Sequence, residues 1–224
     1  MALAQRCGLH GILAQRLHVP TDKGSNGSGK VAAIVAGMLT GADSIDDLDV
    51  LRHGGMPLLF GGVYAPSTLG SFLRAFSHGH VRQLQAVSRQ FLVRLARDAP
   101  LLPGAGAVTF VDVDSLLRRV YGKQKQGAGF GHAKVGGYQV LLRGLNPLVA
   151  TISTPHAAPL IAATQLRAGN AGSARGAAAL IAEAIATTKQ VLATQSEARG
   201  GEIVVRADSA FYSRKVITAC RRAG

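Results

Sequence analysis

AVTFVDVDSL, residues 107–116, decides the fold of the chain's second half. Its residues alternate with a period of two, so that Phe110, Asp112 and Asp114 share one face and Val111 and Val113 the other, which is the pattern of a half-buried β-strand. A carboxylate placed in an otherwise apolar strand costs several kcal/mol unless it is paired with a cation or holds a metal ion. Arg118, Lys134 and Arg206 are the cations within reach of a pairing, and spacing alone leaves both readings open.

Working outward, LVATIS (148–153) and APLIAATQL (158–166) read as two more strands, and a long helix is expected from about Ser173 to Ala198. GEIVVRADS (201–209) is a short apolar strand that ends at Asp208, and SRKVITACRR (213–222) reads as a last helix. Three strands, a helix, a strand and a helix fit a mixed α/β sheet domain over residues 107–224. Upstream, DAPLLPGAGA (98–107) interrupts helical periodicity with two prolines and two glycines and marks a boundary.

Residues 1–100 read as an all-helical module, expected to bind DNA. KVAAIVAGMLTG (30–41) is a helix stopped by Gly41. ADSIDDLDVLRHGG (42–55) follows with Asp43 or Ser44 as N-cap and Asp46 and Asp47 in the first turn, where the helix dipole favours acids. Ser67 is the expected cap of STLGSFLRAF (67–76). Val81, Leu84, Val87, Phe91, Leu92 and Leu95 recur at helical spacing and leave Arg82, Arg89 and Arg97 towards a polar side.

The whole chain has 224 residues, 47% of them hydrophobic and 17% charged, which is a globular composition. Its formal charge of +13 points to a polyanionic partner, nucleic acid being the commonest. The charge is uneven: residues 1–107 carry +4 and residues 108–224 carry +9. Aromatic residues make up 5% with no Trp, which weighs against a platform of stacked rings. Cys7 and Cys220 belong to no ligand or disulfide pattern. Arg6, His10 and Arg16 break what would be the apolar core of a signal peptide, and no run of ~18 apolar residues suggests a membrane span, so a cytoplasmic protein is expected. Gly24, Gly29 and Lys30 start a GxxxxGK pattern, but Val31 stands where Ser or Thr should ligate Mg²⁺, and a surface loop is the better reading.

The six acids of the second half are the informative residues. Glu183 and Glu197 fall in the long helix as solvated partners of nearby bases, Glu202 begins a strand, and Asp112, Asp114 and Asp208 lie in or at the end of strands, where open α/β sheets place their ligands. Oxygen ligands of this kind select Mg²⁺ or Mn²⁺ over zinc. Close by, VYGKQKQGAGFGHAK (120–134) sets Lys123, Lys125 and Lys134 among glycines, which suits either a phosphate-binding loop or a solvated hairpin.

FVDVDSLLRRVYGKQKQGAGFGHAKVGGY (110–138), STPHAAPLIAATQLRAGNAGSARGAAALIAEAI (153–185) and VRADSAFYSRKVITACRRAG (205–224) resemble the DDE transposases of bacterial insertion sequences, most closely the thirteen-eighty branch. GADSIDDLDVLRHGGM and PSTLGSFLRAFSHGHVRQL in the N-terminal half resemble the same family. The resemblance implies a ribonuclease H-like domain in which two aspartates and a glutamate hold two metal ions, Mg²⁺ or Mn²⁺, for cutting and joining DNA. Asp114, followed by Ser115, matches the first aspartate, with Asp112 in reserve, and Asp208 of RADSAFY matches the second. No Asp or Glu follows Asp208, so the resemblance leads one to expect an incomplete ribonuclease H-like sheet, truncated before its glutamate and with weak or no activity alone.

The expected partner is double-stranded DNA, both element ends and target, met by Lys123, Lys125, Lys134, Arg206, Arg214 and Lys215, with a homodimer on DNA as the assembly to test and the bacterial nucleoid as the setting. Two other readings stand beside this one. One is a non-catalytic DNA-binding remnant that modulates a full-length transposase; the other is a nonspecific nuclease of the same fold.

Overall fold

A computed structural model describes residues 1–20, 26–122, 125–198 and 200–223. Gly24 of the GxxxxGK pattern and Lys123 lie outside the described residues, as do the side chains of Lys134 and Glu197. The chain divides into two compact units, Met1–Leu95 and Ala96–Gly224.

Every regular element described in the first unit is helical. These are α1 (Ala2–Arg6), α2 (Leu9–Arg16), α3 (Gly27–Leu39), α4 (Met56–Leu59), α5 (Pro66–Arg74) and α6 (His78–Asp98, whose last three residues belong to the second unit), with a 3-10 helix at Asp46–Arg52. Leu9, Ile12, Leu13 and Leu17 pack with Phe72 and Val87 in one cluster, and Ala33, Leu48 and Leu69 form a second. The N-terminal segment weighed above as a signal peptide thus supplies four core residues. Asn26 caps α3 by accepting from the Gly29 N–H at 3.1 Å. The Lys30 side chain is buried, with its ammonium 5.5 Å from the Phe72 ring centroid, so it is not the open phosphate-facing lysine of a P-loop. Ser44 and Asp47 each bond the other's backbone N–H, a reciprocal cap with Asp in the Glu/Gln place. The expectation for Ser67 fails: α5 starts one residue earlier, at Pro66, whose fixed φ and missing N–H suit the first helical position.

The second unit holds β1 (Val108–Ser115), β2 (Arg118–Arg119), β3 (Gly129–Val135), β4 (Tyr138–Leu145), β5 (Leu148–Thr154), β6 (Ala157–Gln165), α7 (Ala177–Leu192), β7 (Glu202–Ala207) and α8 (Arg214–Ala223). Four strands form one sheet in the order β6-β5-β1-β7, and three form another in the order β2-β4-β3. In the first sheet β5 runs antiparallel to β1 and to β6, while β7 runs parallel to β1. A parallel neighbour needs a long crossover, and α7 supplies it between β6 and β7.

Helix α7 packs on β5, β6 and β1. It buries Leu180, Ile181, Ala184, Ile185, Thr188 and Val191, and the sheet buries Val111, Val113, Leu148, Ala150 and Ile152, all of them on one face by the β1–β5 register. The alternation read in 107–116 is therefore the division of the sheet into a sealed face and a face carrying Phe110, Asp112 and Asp114. The helix is shorter than the expected 173–198. Gly176 takes a left-handed conformation at its start (φ 81°), and the carbonyls of Gly172, Ser173 and Arg175 accept from the buried Arg167 guanidinium rather than from helical N–H groups.

Of the segment 120–134, read as a basic loop or a solvated hairpin, residues 129–134 belong to the first strand of a hairpin. Residues 129–135 pair with 138–144 around a turn in which Gly136 and Gly137 both have positive φ (57° and 86°), as a type I′ hairpin turn requires.

Candidate active site

The β1–β7 register sets the site. Asp112 is opposite Arg206 and Val113 is opposite Ala207, so the next positions on the two parallel strands are Asp114 and Asp208. Asp208 keeps an extended backbone (φ −71°, ψ 171°) and thereby continues the alternation of β7 onto the face of Arg206. Asp112, Asp114, Arg206 and Asp208 consequently share the face that α7 leaves uncovered, with the two outer aspartates at the carboxyl ends of adjacent parallel strands. This is where open α/β sheets gather their ligands.

The two aspartates are held by their own backbones. Asp114 Oδ1 accepts from the Ser115 N–H at 2.6 Å, and Asp208 Oδ1 accepts from the Ala210 N–H at 2.9 Å, capping the 3-10 turn Ser209–Phe211. Phe211, 1% exposed, anchors that turn in the core. Both aspartates are exposed, and among the described residues each keeps its second carboxylate oxygen without a hydrogen bond. Hard oxygen donors at neighbouring strand ends suit Mg²⁺ or Mn²⁺. Among the described residues no group of three or more His, Cys, Asp or Glu could hold a metal ion.

Asp112 has a different partner. Arg206 Nε and Nη2 donate to its two oxygens at 2.6 and 2.7 Å, a bidentate pair, and the same guanidinium lies 4.0 Å from the Phe110 ring centroid. The carboxylate raises the Arg206 pKa above its ordinary value, chiefly through the hydrogen bond. Of the readings left open for Asp112 and Asp114, pairing describes Asp112, and Arg206 is engaged on the sheet face.

The other expected contact residues are dispersed. Lys125 is exposed beside the three-stranded sheet, Lys134 is in β3 opposite Gln139, and Arg214 and Lys215 are exposed in the first turn of α8. The last two line a cleft of about 570 Å³ with Ala178, Ala179, Thr218 and Arg222. Residue-by-residue reading missed a longer pattern: positions 115–182 contain eight Lys and Arg and no Asp or Glu. That stretch includes the entire three-stranded sheet.

A mixed sheet with two acidic strand ends, in a chain of +13, defines an α/β domain consistent with the ribonuclease H-like fold. The chain belongs to the family described as Transposase DDE domain group 1, whose family model matches residues 1–224. Membership carries DNA transposition as the general function, DNA as the partner and a general use of divalent metal ions. No curated protein and no solved structure matches the chain. Among the described residues no helix is long and apolar enough to cross a membrane.

Proposed function

We propose that residues 107–224 form the part of a bacterial insertion-sequence transposase that cleaves and joins DNA, with Asp114 and Asp208 as two of its metal-holding carboxylates. The observation that carries this reading is the parallel β1–β7 register, which brings those two aspartates to neighbouring strand ends in a chain of this family. Divalent ions held there would neutralise charge on a scissile phosphate and activate the attacking oxygen. The protein's own share is to aim the carboxylates, through the Ser115 and Ala210 N–H groups, and to bring phosphates close with Lys125, Arg214 and Lys215. Residues 209–224 contain no further acid, so within this sequence the set in the family's order is two aspartates. Asp112 serves in the sheet rather than at the ion.

Thermal melts with and without Mn²⁺ test the assignment. Two carboxylates held together repel when no ion is present, so Asp114→Asn and Asp208→Asn should leave the metal-free protein as stable as before or more so. Mn²⁺ should raise the melting temperature of the unaltered chain, and either substitution should abolish the rise. A rise that persists in both variants, or none in the unaltered chain at millimolar Mn²⁺, removes these residues from the metal site.

A further inference from the structure

We propose that the outward face of the three-stranded sheet binds unpaired nucleotides of a DNA strand, with Tyr121 and Phe130 as the rings on which bases stack. The inference rests on the DNA-binding reading above and adds to it a site for bases, where that reading requires only phosphates.

Tyr121 is 71% exposed and Phe130 61%, and both line one cleft of about 520 Å³ with Arg119, Leu141 and Arg143. Phe130 is placed by a strand and Tyr121 by the segment that follows β2. Phe130 lies in β3 directly opposite Arg143 of β4, and the Val120 N–H donates to the Arg143 carbonyl at 3.2 Å. Arg143 Nη1 donates to the Gly122 carbonyl at 2.7 Å, which ties the segment carrying Tyr121 to the sheet. Arg119 lies 4.9 Å from the centroid of the Tyr121 ring, so a guanidinium already accompanies one ring.

The chain's low aromatic content conceals this placement. Two exposed rings, one in β3 and one two residues after β2, beside guanidinium groups and within 68 residues free of acid, call for a partner that is flat, apolar and anionic at once. Nucleotides meet all three conditions: every base offers a π-face and every linkage a negative charge. A fully paired duplex offers its phosphates but keeps its base faces stacked, so the rings gain a partner only where bases are unpaired. An acidic protein surface matches the charge but presents no regular row of flat faces.

The experiment is a fluorescence-anisotropy titration of the full chain with labelled oligothymidylate and with a labelled blunt duplex, beside tyrosine emission. The unaltered protein should bind both, and oligothymidylate should quench tyrosine emission. Tyr121→Ala and Phe130→Ala should each weaken oligothymidylate binding by about 5- to 100-fold, while blunt-duplex binding stays within about twofold. Tyr121→Phe should behave as the unaltered chain, and Phe130→Leu, which keeps apolar bulk without a ring, should lose affinity as the alanine variant does. Equal weakening of both DNAs, weakening of neither, or failure of the unaltered chain to bind oligothymidylate overturns the stacking site while duplex binding stands. Failure to bind either DNA overturns the DNA-binding reading itself. Circular-dichroism melts of Phe130→Leu and Tyr121→Phe keep folding defects apart from binding defects.

Discussion

The two sheets of the second unit solve opposite problems with strands of similar kind. The four-stranded sheet buries Val111, Val113, Ala150 and Ile152 beneath α7 and devotes its other face to charged groups at the β1–β7 pair. The three-stranded sheet buries little side chain. Its inner side is approached by backbone, because Gly129 and Gly131 leave room for residues 169–170 and Gly144 for the backbone of Arg118 and Arg119. Its outer side keeps Phe130 and Leu141 in solvent. Side-chain packing fixes positions and suits carboxylates that must meet, whereas glycine-mediated backbone contact holds a sheet in place while freeing its side chains for a ligand.

Arg167 is the test with the largest expected effect, because it serves both sheets. It is 7% exposed and donates to the Asn146 carbonyl and Oδ1, at the turn between β4 and β5, and to the carbonyls of Gly172, Ser173 and Arg175 ahead of α7. Burial, followed by the nearby Arg175 charge, lowers its pKa from the ordinary value. Arg167→Ala strands these acceptors at once and should cost about 3–5 kcal/mol in urea unfolding. A loss under about 1 kcal/mol would show that the sheets do not depend on this guanidinium.

Next comes Gly169, which bears on the three-stranded sheet alone. A Cβ at this position would run into the carbonyl oxygens of Gly129 and Gly144, backbone atoms of β3 and β4 that cannot swing aside. Gly169→Ala should therefore cost about 2–3 kcal/mol. Gly129→Ala is the control, since its Cβ would lie 3.3 Å from the Asn170 nitrogen and needs only a small adjustment. Equal losses in the two variants would break the contrast drawn between the sheets.

These residues also show what was legible in the sequence. The alternation in 107–116 identified β1 and the face of each side chain because one face is buried and period two survives. The strands of the hairpin 129–145 do not show in the alternation because glycines at 129, 131, 136, 137 and 144 interrupt it, and the sequence offers only a loop or a solvated hairpin over 120–134. Helix α7 is legible but shorter than the sequence suggests at both ends: nothing local reveals that Arg167 claims the carbonyls ahead of it, and it stops at Leu192, with Glu197 in a separate 3-10 turn at Ser196–Ala198. For Asp112 the sequence leaves a salt bridge and a metal both open, because the choice depends on Arg206, 94 residues away, and only the strand register brings the two together.

Thr109 should give a smaller change of opposite sign. It is fully buried in β1, and its Oγ1 has no hydrogen-bond partner among the described residues. Thr109→Val keeps the shape and removes the unpaired hydroxyl, so it should stabilise the chain by about 1 kcal/mol. A destabilising result would mean that a hydroxyl belongs on the sealed face, contrary to the view that this face works by apolar packing.

The smallest effect is expected at Asp112–Arg206, and it sharpens the comparison most. The two side chains are 37% and 51% exposed, so water and salt screen the pair, and removing it should lower the melting temperature only slightly, less still at high salt. The sign of its pH dependence follows from Arg206. Its pKa is raised in the folded chain, so its contribution is fully present below the ordinary arginine pKa and is lost only as pH rises through the higher folded value. From the arginine side, melts over pH 6–9 should show no change attributable to this group. If Asp112 belongs to the sheet and Asp114 to the ion, Asp112→Asn should keep the Mn²⁺-induced rise in melting temperature that Asp114→Asn abolishes. Loss of the rise in Asp112→Asn alone would exchange the roles of the two aspartates, although they stand two residues apart on one face of one strand.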